Sequence, residues 1–111
     1  MTPEEYVKHL ERIAERFGWK LNRDRELVLE FARGLLENKK RYGFAYCPCR
    51  FPVGDKEIDR RIICPCVYAR DDIERYGRCY CGLFISREVY EGKKEFAEVV
   101  PDKHAEFILR R

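Results

Sequence analysis

The sequence predicts a small, mainly α-helical protein that forms a single domain over residues 1–111. Two observations predict this architecture. Apolar residues recur at helical spacing through the first part of the chain, and all six cysteines lie in the part that follows. We therefore expect a helical scaffold at residues 1–43 and a functional region at residues 44–85. A chain of this length has room for one hydrophobic core.

The first predicted helix begins at Thr2. A threonine cap, a proline at the first helical position and a glutamate three residues after the cap together mark a helix start. Gly18 is typical of a helix end. The apolar residues that share one face of this helix are Tyr6, Val7, Leu10, Ile13, Ala14 and Phe17.

The second predicted helix begins near Asn22 or Asp24 and ends at about Tyr42, where Gly43 stops it. Its apolar residues are Leu27, Val28, Phe31, Ala32, Leu35 and Leu36. Beyond it, two charged segments at 55–63 and 68–76 are each predicted to form a short helix. Residues 83–85 form an apolar run that we expect to be buried. Ser86 is a candidate cap for one more turn, and from Lys93 onward the pattern is weak.

Charge and hydropathy exclude several classes of partner. The chain carries 23 Lys and Arg against 20 Asp and Glu, with signs that alternate along the chain. The densest basic run, 39–41, fits a helix C-terminus, so we expect no nucleic-acid partner. No apolar run is long enough to span a bilayer, and the first residues do not resemble a signal peptide. We therefore expect no membrane association and a cytoplasmic location.

The six cysteines form three Cys-x-Cys pairs: Cys47-Pro48-Cys49, Cys64-Pro65-Cys66 and Cys79-Tyr80-Cys81. In a reducing compartment such cysteines indicate metal binding or redox chemistry rather than structural disulfides. Clustered thiolates favour zinc, copper(I) or iron–sulfur centres. Structural zinc usually takes a two-residue gap, whereas a one-residue gap suits a polynuclear cluster with separate attachment points. A four-iron cluster takes four thiolates and would leave a dithiol.

These strings resemble the catalytic (β) chain of ferredoxin:thioredoxin reductase. The resemblance rests on Cys47-Pro48-Cys49-Arg50, Cys64-Pro65-Cys66-Val67 and Cys79-Tyr80-Cys81-x-Leu83-Phe84, in the same order and at similar intervals. A related ferredoxin:disulfide reductase fits equally well. The resemblance implies an oxidoreductase with a ferredoxin-like electron donor and a thioredoxin-like disulfide acceptor. The plant-type enzyme also has a second subunit that is not in this chain.

The resemblance further implies roles for individual cysteines. The ligands of a [4Fe-4S] cluster would be Cys47, Cys64, Cys66 and Cys79. The redox-active disulfide would be Cys49–Cys81, with Cys81 facing the cluster and Cys49 attacking the partner disulfide. We expect the C-terminal half of this mainly α-helical domain to wrap around the cluster, because it has too few periodic apolar residues to hold itself together without one.

Tyr80 departs from the family pattern, which usually has histidine between the cysteines of the third pair. A phenol has an unperturbed pKa of about 10 and an imidazole one of about 6.5, so tyrosine does not replace histidine as a proton shuttle at neutral pH. Tyr80 can still donate a hydrogen bond to a sulfur atom. We therefore include Tyr80 among the candidate catalytic residues, with Cys49 and Cys81.

Several residues near the cysteines or on the helices also have predicted roles. Arg50 is predicted either to activate Cys49 by its charge or to form an ordinary surface ion pair. His9 and His104 are predicted to be surface or boundary residues. Pro48 and Pro65 are predicted to stiffen the cysteine loops. The aromatic residues predicted to shield the cluster and fill the core are Phe44, Tyr46, Phe51, Tyr68, Tyr76 and Phe84.

Two other functions compete with the reductase. The first is a zinc-stabilised interaction module without catalytic activity, and the second is a simple cluster-bearing electron carrier. Neither uses the two cysteines that remain after four ligands are assigned.

Overall fold

The computed structural model describes residues 1–109, so the last two residues of the predicted domain lie outside the described range. The mainly α-helical fold class is confirmed. The elements in chain order are α1 (Pro3–Phe17), β1 (Lys20–Leu21), α2 (Arg25–Tyr42), α3 (Lys56–Asp59), a 3₁₀ turn (Arg60–Ile62), α4 (Ala69–Tyr76), β2 (Phe84–Ile85), α5 (Arg87–Tyr90) and α6 (Ala105–Leu109). Within residues 1–109, no helix is both long enough and apolar enough to cross a membrane.

Helix α1 has the predicted capping box. The backbone N–H of Glu5 donates to Thr2 Oγ1 over 3.2 Å, and the Thr2 N–H donates to Glu5 Oε1 over 2.9 Å. The helix ends at Gly18, whose φ of 78° lies in the left-handed region. Its buried residues are Tyr6, Val7, Leu10 and Ala14.

Helix α2 begins after Asp24, one of the two residues predicted to cap it. The Asp24 side chain accepts a hydrogen bond from the Leu27 N–H over 3.2 Å, and Gly43 ends the helix at a φ of 87°. Its buried residues are Val28, Ala32 and Leu35, which share one core with the buried face of α1. Burial of these faces is the main force that holds the two helices together.

A two-stranded antiparallel sheet ties the cysteine region to this helical pair. Lys20 of β1 pairs with Ile85 of β2, and Leu21 pairs with Phe84. The predicted burial of residues 83–85 is confirmed, and the Phe84 ring lies 5.4 Å from the Trp19 ring. The third cysteine pair, just before β2, is therefore anchored on the scaffold.

The shorter predicted helices also form. The segment 55–63 contains α3 and the 3₁₀ turn, the segment 68–76 contains α4, and Ser86 caps α5 by accepting from the Val89 N–H. In the weakly patterned tail, α6 was not predicted from the sequence.

We expect Gly77→Ala to destabilise the protein more than Gly43→Ala. Both glycines end helices at positive φ, so each alanine meets the same left-handed backbone, at a cost of about 1–2 kcal/mol. Only at position 77 would the new Cβ lie 2.8 Å from Val89 and 3.2 Å from the Phe96 Cα, which adds about 1–3 kcal/mol of overpacking. Chemical denaturation of both variants measures the difference, and equal losses would contradict this close packing.

Candidate metal centre

Five of the six cysteines line one pocket. They are Cys47, Cys64, Cys66, Cys79 and Cys81. The other residues that line this pocket are Pro48, Arg50, Pro65, Ala69, Tyr80, Leu83 and Phe84. Apart from Arg50 and Tyr80, these neighbours are apolar. The site therefore concentrates sulfur donors in surroundings of low polarity.

Backbone hydrogen bonds hold the first two cysteine pairs side by side. The Cys47 N–H donates to the Ile62 carbonyl over 2.7 Å, and the Cys64 N–H donates to the Ala45 carbonyl over 3.0 Å. Between them, Tyr46 and Ile63 form an antiparallel bridge. These contacts bring together two pairs that are far apart in the sequence.

The third pair is held by the turn that leads into β2. The Cys79 N–H donates to the Phe84 carbonyl over 3.0 Å, and the Gly82 N–H donates to the Cys79 carbonyl over 2.9 Å. The Phe84 N–H also lies 3.4 Å from Cys79 Sγ, in a hydrogen bond to the sulfur. Cys79 is buried, whereas Cys64 and Cys66 are partly buried.

The loop of the first pair rests against helix α2 at Gly34. A Cβ atom at this glycine would lie 3.0 Å from both Cβ and Cγ of Pro48. A side chain there would force the loop or the helix to move. The sequence showed Gly34 only as a glycine within a helix, and nothing in the pattern indicated this contact.

The sulfur atoms that the structure groups most closely are not the set predicted to be cluster ligands. The sulfurs of Cys47, Cys49 and Cys81 all lie within 4.8 Å of one another. The structure joins Cys81 to Cys47, whereas the family resemblance implies a bond from Cys81 to Cys49. The Cα atoms of Cys47 and Cys81 are 7.6 Å apart, beyond the usual disulfide range of about 4.4–6.8 Å.

All three sulfurs therefore lie within reach of one another, and their individual roles stay predictions. Cys49 is the exposed member of the three, as an attacking thiol must be. Cys47 is buried and Cys81 is half-buried. The exposed position thus belongs to the cysteine predicted to meet the partner.

Burial controls the acidity of the pocket thiols. It raises the pKa of Cys64 well above its usual value, and the neighbouring Cys79 and Cys66 sulfurs raise it further. Burial also raises the pKa of Cys79, against hydrogen bonds from the Phe84 backbone that lower it. Metal ligation requires thiolates, and a bound cation supplies the charge that this pocket needs to hold several of them.

Arg50 is buried, with 4% of its surface exposed, so the predicted surface ion pair is wrong. Its Nε donates to Asp102 Oδ1 over 3.0 Å, and its Nη1 donates to Cys66 Sγ over 3.6 Å. Burial raises the pKa of the Cys49 thiol, and the charges of Arg50 and Arg78 act to lower it. Arg50 therefore opposes the effect of burial on Cys49 without overcoming it.

His104 is fully buried, which corrects its prediction as a surface or boundary residue. Its Nδ1 shares a 2.8 Å hydrogen bond with the Tyr68 hydroxyl, and its backbone N–H donates to Asp102 Oδ1 over 3.0 Å. Burial lowers the pKa of His104. The tail folds back onto the site, which the weak pattern after Lys93 did not indicate. His9 is exposed, as predicted.

Tyr80 presents its ring to a cation. The Arg50 Cζ lies 4.2 Å from the centre of the Tyr80 ring and 5.3 Å from that of Tyr68. Sequence reasoning considered the hydroxyl of Tyr80 and missed this use of its ring.

The aromatic residues predicted to shield the site divide into two groups. Tyr46 and Phe84 are buried, and Tyr68 and Tyr76 are half-buried. Phe44 and Phe51 are exposed over 50% and 78% of their surfaces, so the shielding prediction is wrong for these two.

Comparison with known proteins gives one clear relationship. No curated protein matches this chain. A family model does match residues 2–106, and its description is the ferredoxin thioredoxin reductase catalytic beta chain. The match covers all six cysteines and almost the whole chain. The chain therefore belongs to this family of oxidoreductases, the catalytic chains of ferredoxin:thioredoxin reductase.

Proposed function

We propose that this chain takes electrons one at a time from a ferredoxin-like donor and, by means of a [4Fe-4S] cluster, reduces its own adjacent disulfide. The resulting dithiol would reduce thioredoxin or a similar protein disulfide by thiol–disulfide exchange. The observation that carries the proposal is the convergence of five cysteines on one pocket, with the exposed Cys49 beside two of them. Family membership supports the same reaction class.

The residues around the pocket fit an iron–sulfur cluster. The donors are soft sulfurs from three separate loops, their surroundings are apolar, and buried thiols need a cation before they ionise. The proposed ligands are Cys47, Cys64, Cys66 and Cys79. When bound, the cluster supplies the one-electron steps that link a ferredoxin to a two-electron disulfide.

The remaining pair carries the exchange chemistry. The Cys49 thiolate attacks one sulfur of the partner disulfide, forms a mixed disulfide and releases the other sulfur as a thiolate. A thiolate at Cys81 then attacks Cys49 and releases the partner. This step restores the Cys49–Cys81 disulfide, so the two electrons of the dithiol have passed to the partner. The exposure of Cys49 supports its role as the attacking sulfur.

The zinc-stabilised module is not favoured, because the family is described as a catalytic chain. A cytoplasmic location and a second, variable subunit are further parts of the proposal.

We expect protein purified without oxygen to contain about four iron and about four sulfide per chain, the composition of one such cluster. Cys64→Ser and Cys66→Ser should each lose this iron and lower the melting temperature, because metal binding and folding are coupled here. Cys49→Ser is the matched control and should retain the iron. Stoichiometric zinc without acid-labile sulfide in the unmodified protein would refute the cluster.

The partner of Cys81 can be determined in the oxidised, cluster-containing protein. We expect peptide mapping after alkylation to recover Cys49 linked to Cys81. Cys49→Ser should then abolish the disulfide, whereas Cys47→Ser should lose iron. A disulfide that persists in Cys49→Ser and links Cys47 to Cys81 would mean that the pairing in the structure is the functional one.

The two active cysteines should behave differently toward a partner. Reduced Cys81→Ser should trap an oxidised thioredoxin as a covalent adduct, because Cys49 can still attack and no resolving thiol remains. Cys49→Ser should form no adduct. Non-reducing gels measure both results, and an adduct from Cys49→Ser alone would show that the roles are reversed.

A further inference from the structure

Arg50 is a buried cation inside the sulfur site, and its environment is unusual. Its side chain is 2% exposed, and the carboxylate of Asp102, which is 29% exposed, lies 3.0 Å from both Nε and Nη2. Its Nη1 also donates a 3.6 Å hydrogen bond to Cys66 Sγ. A guanidinium removed from water is costly unless its donors and charge are matched. The sulfur of Cys66 is thus part of what keeps Arg50 buried.

Two aromatic rings fix the orientation of this guanidinium. Tyr80 lies 4.2 Å and Tyr68 lies 5.3 Å from the Arg50 Cζ, both within the range of a cation–π contact. Tyr68 is itself held by its hydrogen bond to the buried His104, whose backbone N–H donates to Asp102. The C-terminal segment and the third cysteine pair therefore contact Arg50 together.

We propose that Arg50 is the fixed positive charge of the redox site, that it acts through Cys66, and that Asp102 and the Tyr80 ring are its positioning residues. The inference rests on the proposed function, in which Cys66 is a cluster ligand. Each electron that arrives adds one negative charge to the site. A guanidinium that donates to a ligand sulfur stabilises the more negative, reduced state and raises its reduction potential.

This arrangement gives Tyr80 a different role from that of a proton carrier. The face of the ring attracts the cation, so the hydroxyl is not required for the contact. Arginine stays protonated throughout the physiological range, so the charge it supplies does not depend on pH. Tyr80→Phe should keep this contact, and Tyr80→Leu should remove it.

The test is the midpoint potential of the bound cluster, measured by anaerobic redox titration of the full chain. Arg50→Gln should shift the potential to more negative values, because it removes the charge and the hydrogen bond to Cys66. Arg50→Lys should give a smaller negative shift, since it keeps the charge without the planar fork. Tyr80→Leu should shift the potential in the same direction as Arg50→Gln, and Tyr80→Phe should match the unmodified protein.

Arg75→Gln is the matched control. Arg75 also bonds an aspartate, Asp71, over 3.0 Å, but its side chain is 67% exposed. This variant removes the same charge from an ion pair in water and should leave the potential unchanged.

Arg50→Gln alone leaves the Asp102 carboxylate without its partner, which can destabilise the fold. The double variant Arg50→Gln with Asp102→Asn controls for this effect, because it removes both charges of the ion pair. Arg50 contacts the Cys66 sulfur directly, and Asp102 contacts Arg50, so this variant should still show a negative shift, smaller than that of Arg50→Gln. An unchanged potential in the cluster-containing Arg50→Gln and double variants would overturn the inference and leave the proposed function standing. Absence of a cluster from the unmodified protein would instead overturn the proposed function.

Discussion

The confinement of several thiols in one apolar pocket is the constraint on which the rest of the structure depends. Thiolates in a medium of low polarity repel one another and lose the solvation that water gives them. Burial and the neighbouring sulfurs accordingly raise the pKa of Cys64. A cation that compensates this charge stabilises such a site, and Arg50 is a permanent cation that donates to one of its sulfurs.

The fold uses very little regular secondary structure to bring the distant cysteines together. One antiparallel bridge aligns the first two pairs, and a sheet of two residues per strand anchors the third. The long helices α1 and α2 contribute no sulfur, and their buried faces supply the core on which these short contacts rest. The helical scaffold and the cysteine region are thus distinguished by their packing as well as by their order in the sequence.

The parts that the sequence predicted are those that depend on local chemistry. The cap at Thr2, the left-handed ends at Gly18 and Gly43, and the buried run at 83–85 each follow from neighbouring residues. The candidate site was visible because cysteine spacing is itself local. The burial of Arg50 and His104 was not visible, because Asp102 lies 52 residues after Arg50 and Tyr68 lies 36 residues before His104. No periodic pattern marks such contacts.

The contact between Gly34 and Pro48 has a mechanical consequence. Since no side chain separates them, helix α2 and the loop of the first cysteine pair behave as one stiff body, without a compressible layer between them. At about 3.6 residues per turn, the side of α2 opposite Gly34 carries Ala32 and Leu36, which pack in the hydrophobic core. The hydrophobic core and the first cysteine loop therefore contact opposite sides of the same helix, so a displacement of α2 within the core would move the loop that carries Cys49. The position of the first cysteine loop is thus set by the packing of a helix that contributes no sulfur of its own.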